Sequence, residues 1–298
     1  MSEKAILHML TPLKHVSPFD VNMALDAGYD AVLGYSSVTQ EDVRSLVQDA
    51  MFSRPPKAGL RTAMFFGGKQ AIQALDMLEA AKKALVPPFG ISLFADPAGS
   101  FTTAAGMLAC VEKTLKEKRN RRLAGVRIAV FGATGVVGFS AAVIAGLEGA
   151  AVTLVGYDGP KRVGDGAAEI KRRFGIEVSA ADGSSEDKIS DILLASEVAL
   201  CAGRAGVQIL SRAQLERAKD LLLVADVNAV PPSGVEGLDM MANGSAVNSH
   251  GALGIGPLAI GNVKYKTEFG LFRKMLEASK PQCLDFRDAF ALARELNA

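Results

Sequence analysis

The sequence predicts an α/β protein of two domains, each a parallel sheet crossed by helices, and three observations carry that expectation. Short apolar runs alternate with longer amphipathic stretches from end to end, the pattern of strand–helix–strand units with right-handed crossovers. The 298 residues exceed what one hydrophobic core ordinarily holds. A glycine-rich stretch, Gly132-Ala-Thr-Gly-Val-Val-Gly138, also falls where an apolar strand run passes into an apolar helix run.

In chain order, strands are expected at Ala5–Leu10, Ala31–Gly34, Thr62–Phe66 and Ile91–Ala95. Helical patterns at Val21–Ala27, Glu41–Ala50, Gln70–Leu85 and Thr102–Lys118 separate and follow them. A boundary is expected near Lys116–Gly125, which makes residues 1–120 an N-terminal α/β domain. Beyond it, strands are expected at Arg127–Phe131, Ala151–Val155, Ile176–Ala180, Val198–Cys201 and Leu221–Ala225. With helices at Val136–Leu147, Ala167–Phe174 and Glu186–Ala195, they describe a Rossmann-type doubly wound domain over residues 121–279. A last helix, Phe286–Leu296, follows the break at Lys280-Pro281. The segment of about 280–298 is expected to pack back on the first domain.

Composition narrows the class of function. The 33 basic and 32 acidic residues leave a net charge of +1, which argues against nucleic acid or an anionic membrane as the main ligand. The one basic run, Lys116-Glu-Lys-Arg-Asn-Arg-Arg122, reads as a solvated helix end and linker. Aromatic residues are 6% of the chain and Trp is absent, so the core should be built from Ala, Val, Leu and Ile. Cys110, Cys201 and Cys283 have no metal-ligand spacing and read as reduced thiols of a cytosolic protein. No signal peptide is expected, because Ser2-Glu-Lys leads into the alternating run Ala5–Leu10. The apolar stretch Val136–Leu147 is too short for a bilayer. These features describe a cytoplasmic protein without a membrane span.

The glycine-rich stretch meets the structural conditions for a dinucleotide site. It directly follows the buried-strand run Arg127–Phe131 and opens the apolar helix run from Phe139. Gly132 and Gly135, with Ala133, Thr134, Val136 and Val137, would form a tight turn whose helix-terminal N–H groups hold a pyrophosphate. The spacing is G-x-x-G-x-x-G rather than the G-x-G-x-x-G of many NAD enzymes, so a different turn is expected. Asp158 lies 20 residues after Gly138, beyond the second strand, where an acid meets ribose hydroxyls. Tyr157 precedes it, and Lys161 and Arg162 follow as candidates for pairing a 2′-phosphate. The mixture suggests tolerance of both NAD and NADP; the alternative is a solvated helix start. Two more turns should end the fourth and fifth strands: Cys201-Ala-Gly203, running to Gly206, and Asp226-Val-Asn228, running to Pro232. With Gly251-Ala-Leu-Gly-Ile-Gly256, they are candidates to border the nicotinamide end.

The remaining chemistry is sparse. Reduction of a carbonyl needs a proton donor, yet His8, His15 and His250 belong to no recognisable catalytic or metal arrangement. His8 alternates into the first strand as a structural histidine. A hydride transfer that leaves a nitrogen-stabilised cation would need only positioning and a few polar groups. In the loop Thr11–Asp20, Ser17 is a candidate N-cap with Pro18 at the first helical position. Asp20 is there either a first-turn acid or a ligand. Asp96-Pro-Ala-Gly-Ser-Phe-Thr-Thr103 likewise ends a strand and opens a helix, so its polar groups either cap that helix or hold a polar heterocycle.

Taken together, the chain resembles the bacterial NAD(P)-dependent methylene-tetrahydromethanopterin dehydrogenases of formaldehyde oxidation. The resemblance rests on His8-Met-Leu-Thr-Pro-Leu-Lys-His15, Ser17-Pro-Phe-Asp20, Phe94–Thr103, Asp226-Val-Asn-Ala-Val-Pro-Pro232 and Gly251–Gly256, and runs nearly end to end. It implies an N-terminal domain for the methylene pterin, a Rossmann domain for NAD or NADP, and a cleft between them. The implied reaction moves hydride from the carbon bridging N5 and N10 to the nicotinamide. Its product is methenyl-tetrahydromethanopterin, whose cation is shared by two nitrogens. By the same resemblance Asp20, Asp96, Thr102 and Thr103 would line the pterin side. Asp20 and Lys264 are the candidate catalytic residues, although Lys264 also fits a surface helix lysine. An NADP-specific branch of the family carries Arg after the glycine ending the second strand; Tyr157 stands there in this chain, which argues against strict NADP specificity. The family also implies a homo-oligomer. The rival readings are the same reaction on methylene-tetrahydrofolate, a non-catalytic NAD(P) sensor, and a carbonyl reductase of the shikimate-dehydrogenase kind. The last would want a Lys-Asp pair that the sequence does not identify.

Overall fold

The computed structural model describes residues 3–298. The chain runs through β1 (Ile6–Leu10), α1 (Pro18–Asp26), β2 (Ala31–Tyr35), α2 (Asp42–Phe52), the single turn α3 (Pro56–Gly59), β3 (Thr62–Phe66), α4 (Ala71–Ala84), β4 (Ser92–Ala95) and α5 (Ser100–Arg119). It continues with β5 (Arg127–Phe131), α6 (Val136–Leu147), β6 (Ala151–Gly156), α7 (Lys161–Phe174), β7 (Ser179–Asp182), α8 (Glu186–Leu194), β8 (Val198–Cys201), α9 (Arg212–Arg217) and β9 (Leu223–Asp226). The last elements are β10 (Asn243–Ala246), β11 (Leu253–Ile255), α10 (Pro257–Glu277), β12 (Cys283–Leu284) and α11 (Phe286–Leu296). Two compact units result. One holds the chain up to Thr102 with Tyr265–Leu292, the other Thr103–Lys264 with Ala293–Ala298. The divisions fall inside α5, α10 and α11, and the basic run Lys116–Arg122 lies wholly within the second unit.

The first unit is built on a five-stranded parallel sheet of order β12-β4-β3-β1-β2. β3 and β4 are buried along their whole length, as parallel strands covered on both faces must be. Phe272, from the later half of α10, packs on Phe65 and Phe94 with ring centroids 5.6 and 5.5 Å away, tilted against the first and edge-to-face on the second, an arrangement that fits the ring quadrupole. β12 is a two-residue strand that pairs with Leu93 and Phe94 of β4; its length leaves no periodicity for a sequence reading to find.

The second unit carries a seven-stranded sheet of order β10-β11-β9-β8-β5-β6-β7, in which only β10 runs antiparallel. The order reverses at β5, with β6 and β7 to one side and β8, β9 and β11 to the other. This is a doubly wound sheet with its switch point between β5 and β8. The α/β class and the Rossmann-type second unit are therefore as expected, but several elements differ. α7 starts at Lys161 rather than Ala167, because Gly164 and Gly166 mask its first turns as a loop, and it stops at Gly175, whose φ of +69° ends the helix. The expected strand Ile176–Ala180 is displaced to Ser179–Asp182, the polar edge strand of the sheet.

α10 was legible only as the surroundings of Lys264. Its buried positions Ile260, Val263, Thr267, Leu271 and Met275, with Glu268 and Phe272 beside them, recur every three or four residues. Thr267 and Glu268 interrupt that stripe, and hydrophobic periodicity is the main sequence signal of a helix. Among the described residues no helix is long and apolar enough to cross a membrane.

Candidate functional site

The parallel register of the second sheet brings the sequence-predicted loops to one edge. Phe131 lies opposite Val155 and Cys201, Cys201 opposite Asp226, and Ala225 opposite Ile255. The segments that follow β5, β6, β8, β9 and β11 thus leave from the carboxyl ends of adjacent strands, where open α/β sheets bind ligands.

The glycines of the first turn have different tasks. Gly132 has a φ of +77°, and a Cβ on it would overlap the Ala202 carbonyl. A Cβ on Gly138 would overlap Gly132 O, so the first turn of α6 can lie against the loop only through glycine. Gly135 is different: it is the N-cap of α6, with φ −80° and ψ 164°, a conformation open to any residue. Its N–H donates to Gly132 O at 2.9 Å, and no side chain caps the helix. Thr134 and Gly135 are exposed, Val136 and Val137 are half-buried, and Ala133 is buried. The helix therefore opens with N–H donors under bare backbone, a cradle that fits the pyrophosphate of a dinucleotide.

At the end of β6, Tyr157, Asp158 and Arg162 come together. Arg162 Nη1 donates to Asp158 Oδ2 at 3.0 Å and to Tyr157 Oη at 3.3 Å. The guanidinium also lies 5.9 Å from the Tyr157 ring centroid. The hydrogen bond to Asp158 is the main cause holding Arg162 above its ordinary pKa.

The loops after β8 and β9 are tied to each other. Cys201 is fully enclosed, and burial pushes its thiol well above the ordinary range; only its backbone reaches the edge, with Ala202 and Gly203 half-buried beyond it. Asp226 is buried, and its carboxylate accepts N–H bonds from Asn228 at 2.9 Å and Val235 at 3.2 Å. Asn228 Oδ1 accepts from the N–H groups of Gly206 and Val230, while its Nδ2 donates to Pro232 O. The side chains expected to face a cofactor are thus occupied in shaping the loops that would border it. Gly256 allows the start of α10 to lie against the 239–242 turn: its N–H donates to Ala242 O at 2.7 Å, and a Cβ would strike Asp239 and Met240.

In the first unit, Ser17 Oγ accepts the Asp20 N–H at 3.3 Å, so the cap uses the backbone of Asp20 rather than its carboxylate. The side chain is buried, at 3% exposure. Asp96 and Thr102 are fully buried and bound to each other. Asp96 Oδ1 accepts from the N–H of Phe101 at 2.8 Å and of Thr102 at 3.3 Å, and Oδ2 accepts from Thr102 Oγ1 at 2.5 Å. The capping alternative left open by the sequence is therefore realised for this pair.

Thr103 and Lys264 lie in the second unit, both half-buried, and a residue missed in the sequence sets their spacing. Gly106 lies three residues after Thr103, on the same face of α5. Its Cβ position is 3.1 Å from both Ile260 O and Lys264 N, so α5 and α10 approach backbone to backbone at Lys264. The available signal was a glycine inside a helix, a cost of about 1 kcal/mol against Ala that calls for a packing reason. Glu268, fully buried one turn after Lys264, also went unnoticed.

Two α/β units, the second doubly wound with a glycine cradle at its switch point, define an α/β protein with a Rossmann-type second unit. A shikimate 5-dehydrogenase from Listeria monocytogenes, solved with shikimate and NAD, shares this fold with a TM-score of 0.54 and 14% identity, over 99% of this chain and 97% of that one. The family model for methylene-tetrahydromethanopterin dehydrogenase, N-terminal, matches residues 18–98. The NAD(P)-dependent methylenetetrahydromethanopterin dehydrogenase of Methylorubrum extorquens is 54% identical over 98% of this chain and 99% of its own length. The bifunctional protein MdtA of the same organism is 32% identical over 94% of each chain. The chain belongs to the NAD(P)-dependent methylenetetrahydromethanopterin dehydrogenase family.

Proposed function

We propose that the protein transfers hydride from methylene-tetrahydromethanopterin to NAD or NADP, giving methenyl-tetrahydromethanopterin in one-carbon metabolism. The observation that carries this reading is the 54% identity sustained over 98% of the chain. The second unit takes the dinucleotide on the Gly132–Gly138 cradle, with the adenosine ribose toward Tyr157 and Asp158. Bound there, NAD(P) supplies the hydride acceptor.

The methylene C–H bond breaks with its electron pair leaving as hydride, and the resulting cation is shared by the two nitrogens that bridge the carbon. No proton moves, so no acid–base pair is required of the chain. Asp20 supplies a buried carboxylate to offset the charge that develops on the pterin, and Lys264 and Thr103 donate to its polar atoms. Asp96 and Thr102 shape the start of α5 and so place Thr103. The first unit, with Tyr265–Leu292 returning to it, takes the pterin, and the second unit takes the nucleotide. The protein acts in the cytoplasm as a homo-oligomer.

The test is to offer the purified protein each carrier, methylene-tetrahydromethanopterin and methylene-tetrahydrofolate, with each nucleotide and follow NAD(P)H absorbance. Turnover of the methanopterin substrate is expected. Activity on the folate alone would replace the assignment with a methylene-tetrahydrofolate dehydrogenase. Nucleotide binding without turnover of either carrier would leave an NAD(P) sensor.

A further inference from the structure

The loops that follow β8 and β9 are joined along two seams. At the strand ends, the Val227 N–H donates to Cys201 O at 3.1 Å. On the return, the N–H groups of Ile209 and Leu210 both donate to Gly234 O, at 2.7 and 3.0 Å, and Leu210 bridges to Val235. Between these seams the loops meet at Asn228, which is buried although Ala229, Val230 and the two prolines after them are exposed. Its Oδ1 accepts the Gly206 N–H from the other loop at 3.3 Å and the Val230 N–H from its own at 3.0 Å. Its Nδ2 donates to Pro232 O at 3.0 Å. Pro231 and Pro232 bring no N–H to this tip, so a side chain does there what a backbone ladder does elsewhere. Gly206 turns with a φ of +74°, and its Cβ position lies 3.5 Å from Pro231 O, so the two loops are close at that point as well. The start of the β8 loop is anchored separately: the Ala202 N–H donates to Phe131 O at 2.9 Å, and Ala202 O stands where a Cβ on Gly132 would be.

We propose that Asn228 is a positioning residue for hydride transfer: through Gly206 it locks the β8 and β9 loops into one wall that fixes the nicotinamide half of the dinucleotide. The inference rests on the dinucleotide reading of the second unit and deepens it. A dinucleotide on a doubly wound sheet straddles the point where the strand order reverses. With the adenosine on the β6 side, the nicotinamide half falls beside β8 and β9. Loops pinned only at their two seams leave their middles to be ordered when the ring binds, and that ordering is subtracted from affinity. The bond from Gly206 to Asn228 does the ordering in advance. Asn228 touches neither the ring nor the carrier and exchanges no proton; it acts through the backbone of two loops. The diphosphate cradle does not depend on it, because Ala202 is held by Phe131 of the ladder. Loss of Asn228 is therefore felt at one end of the dinucleotide only.

Calorimetric titration with NADH and with ADP-ribose, which lacks the nicotinamide ring, tests this without any turnover. Asn228→Ala should weaken NADH about tenfold and leave ADP-ribose within about twofold of wild type. With the methylene carrier, kcat should fall by at least about tenfold through misplacement of the ring. Asn228→Ser separates the two bonds of Oδ1: a serine hydroxyl still accepts the N–H two residues on but is too short to reach Gly206. It is expected to match Asn228→Ala in both measurements. Recovery of NADH affinity in Asn228→Ser would assign the effect to the local turn and overturn the proposal. Equal weakening of NADH and ADP-ribose in Asn228→Ala, or no weakening of either, would overturn it as well while leaving the nucleotide site standing. Failure of wild type to bind ADP-ribose would remove the dinucleotide reading and the proposal with it. Gly206 is half-buried, and Val230 and Pro232 are exposed, so the groups that lose Asn228 turn to water. Retained ADP-ribose binding itself reports that the second unit is folded in each variant.

Discussion

Replacing Gly135 by valine separates the two reasons for which this turn contains glycine. Gly132 and Gly138 answer to the fold, one through its φ of +77° and both through backbone lying where a Cβ would stand. Gly135 answers to neither. Its φ of −80° suits any residue, and its Cβ position is 3.2 Å from Gly132 O and 3.8 Å from Ala202 O. A side chain there needs the Gly132 carbonyl to yield by a few tenths of an ångström. Losing a glycine N-cap to a β-branched residue costs about 1 kcal/mol. For a domain of this size that lowers the melting temperature by roughly 2–4 °C. Nucleotide affinity should respond on another scale, because the isopropyl group stands above the open first turn of α6, where a diphosphate must reach the N–H donors. A loss of at least about 100-fold in Kd, or about 2.7 kcal/mol, is expected for Gly135→Val. Calorimetric titration with NADH, beside a thermal melt, measures both. Gly132→Ala is the contrast: left-handed backbone in an L-residue costs roughly 1–2 kcal/mol before any overlap with Ala202 is counted, so that variant should lose soluble yield. If Gly135→Val bound NADH within about threefold of wild type, with affinity scaled as above, the diphosphate would not lie over this turn.

Three further outcomes are expected. Asp20→Asn keeps the size of a buried side chain and leaves the Ser17 cap intact; kcat should fall on the order of 100-fold while NADH affinity holds, as for loss of one group facing developing charge, and unchanged turnover would remove Asp20 from the site. Gly106→Ala improves helix propensity by about 1 kcal/mol but forces apart the α5–α10 approach at Lys264. Stability should stay near wild type while turnover drops about tenfold through misplacement, and full activity would show that this spacing has no bearing on the reaction. His8 accepts or donates through Nδ1 to Tyr35 Oη at 3.0 Å, and burial, then Arg54, lowers its pKa below 6.5. The folded state therefore favours neutral His8. Its contribution is complete above pH 6.5 and is lost as pH falls below it, so melting temperature should decline on that side. His8→Gln should flatten the decline; an identical slope would assign it to other groups.

The legible parts of the fold were those in which neighbours along the chain carry the signal. The boundaries of β5, α6 and α11 agree residue for residue with the expectation, because each couples a strong apolar run to glycine or proline punctuation. α10 escaped because Thr267 and Glu268 sit inside its apolar stripe, and the start of α7 because two glycines resemble a loop. The candidate site followed the same division. Gly132–Gly138 and Tyr157–Arg162 are short segments whose spacing alone places them at strand ends. Asp226 and Asn228 were placed at the right edge, but their side-chain partners lie across two loops and could not be read from spacing.

The sequence by itself was enough to establish the α/β class, the glycine-rich turn between β5 and α6, and membership of the dehydrogenase family. All depend on local geometry or on residue identity. The three-dimensional arrangement assigned each polar group to its partner: Asp96 to the start of α5, Asn228 to Gly206, and Cys201 to the core. It also distinguished Gly135, open to a ligand, from Gly132 and Gly138, which the backbone itself requires. The physical reason is that parallel strands pair residues far apart in the chain, and burial is shared by everything packed around a group. A pattern along the chain can name the residues at a strand end, but the hydrogen bonds that occupy them are settled only when distant segments meet.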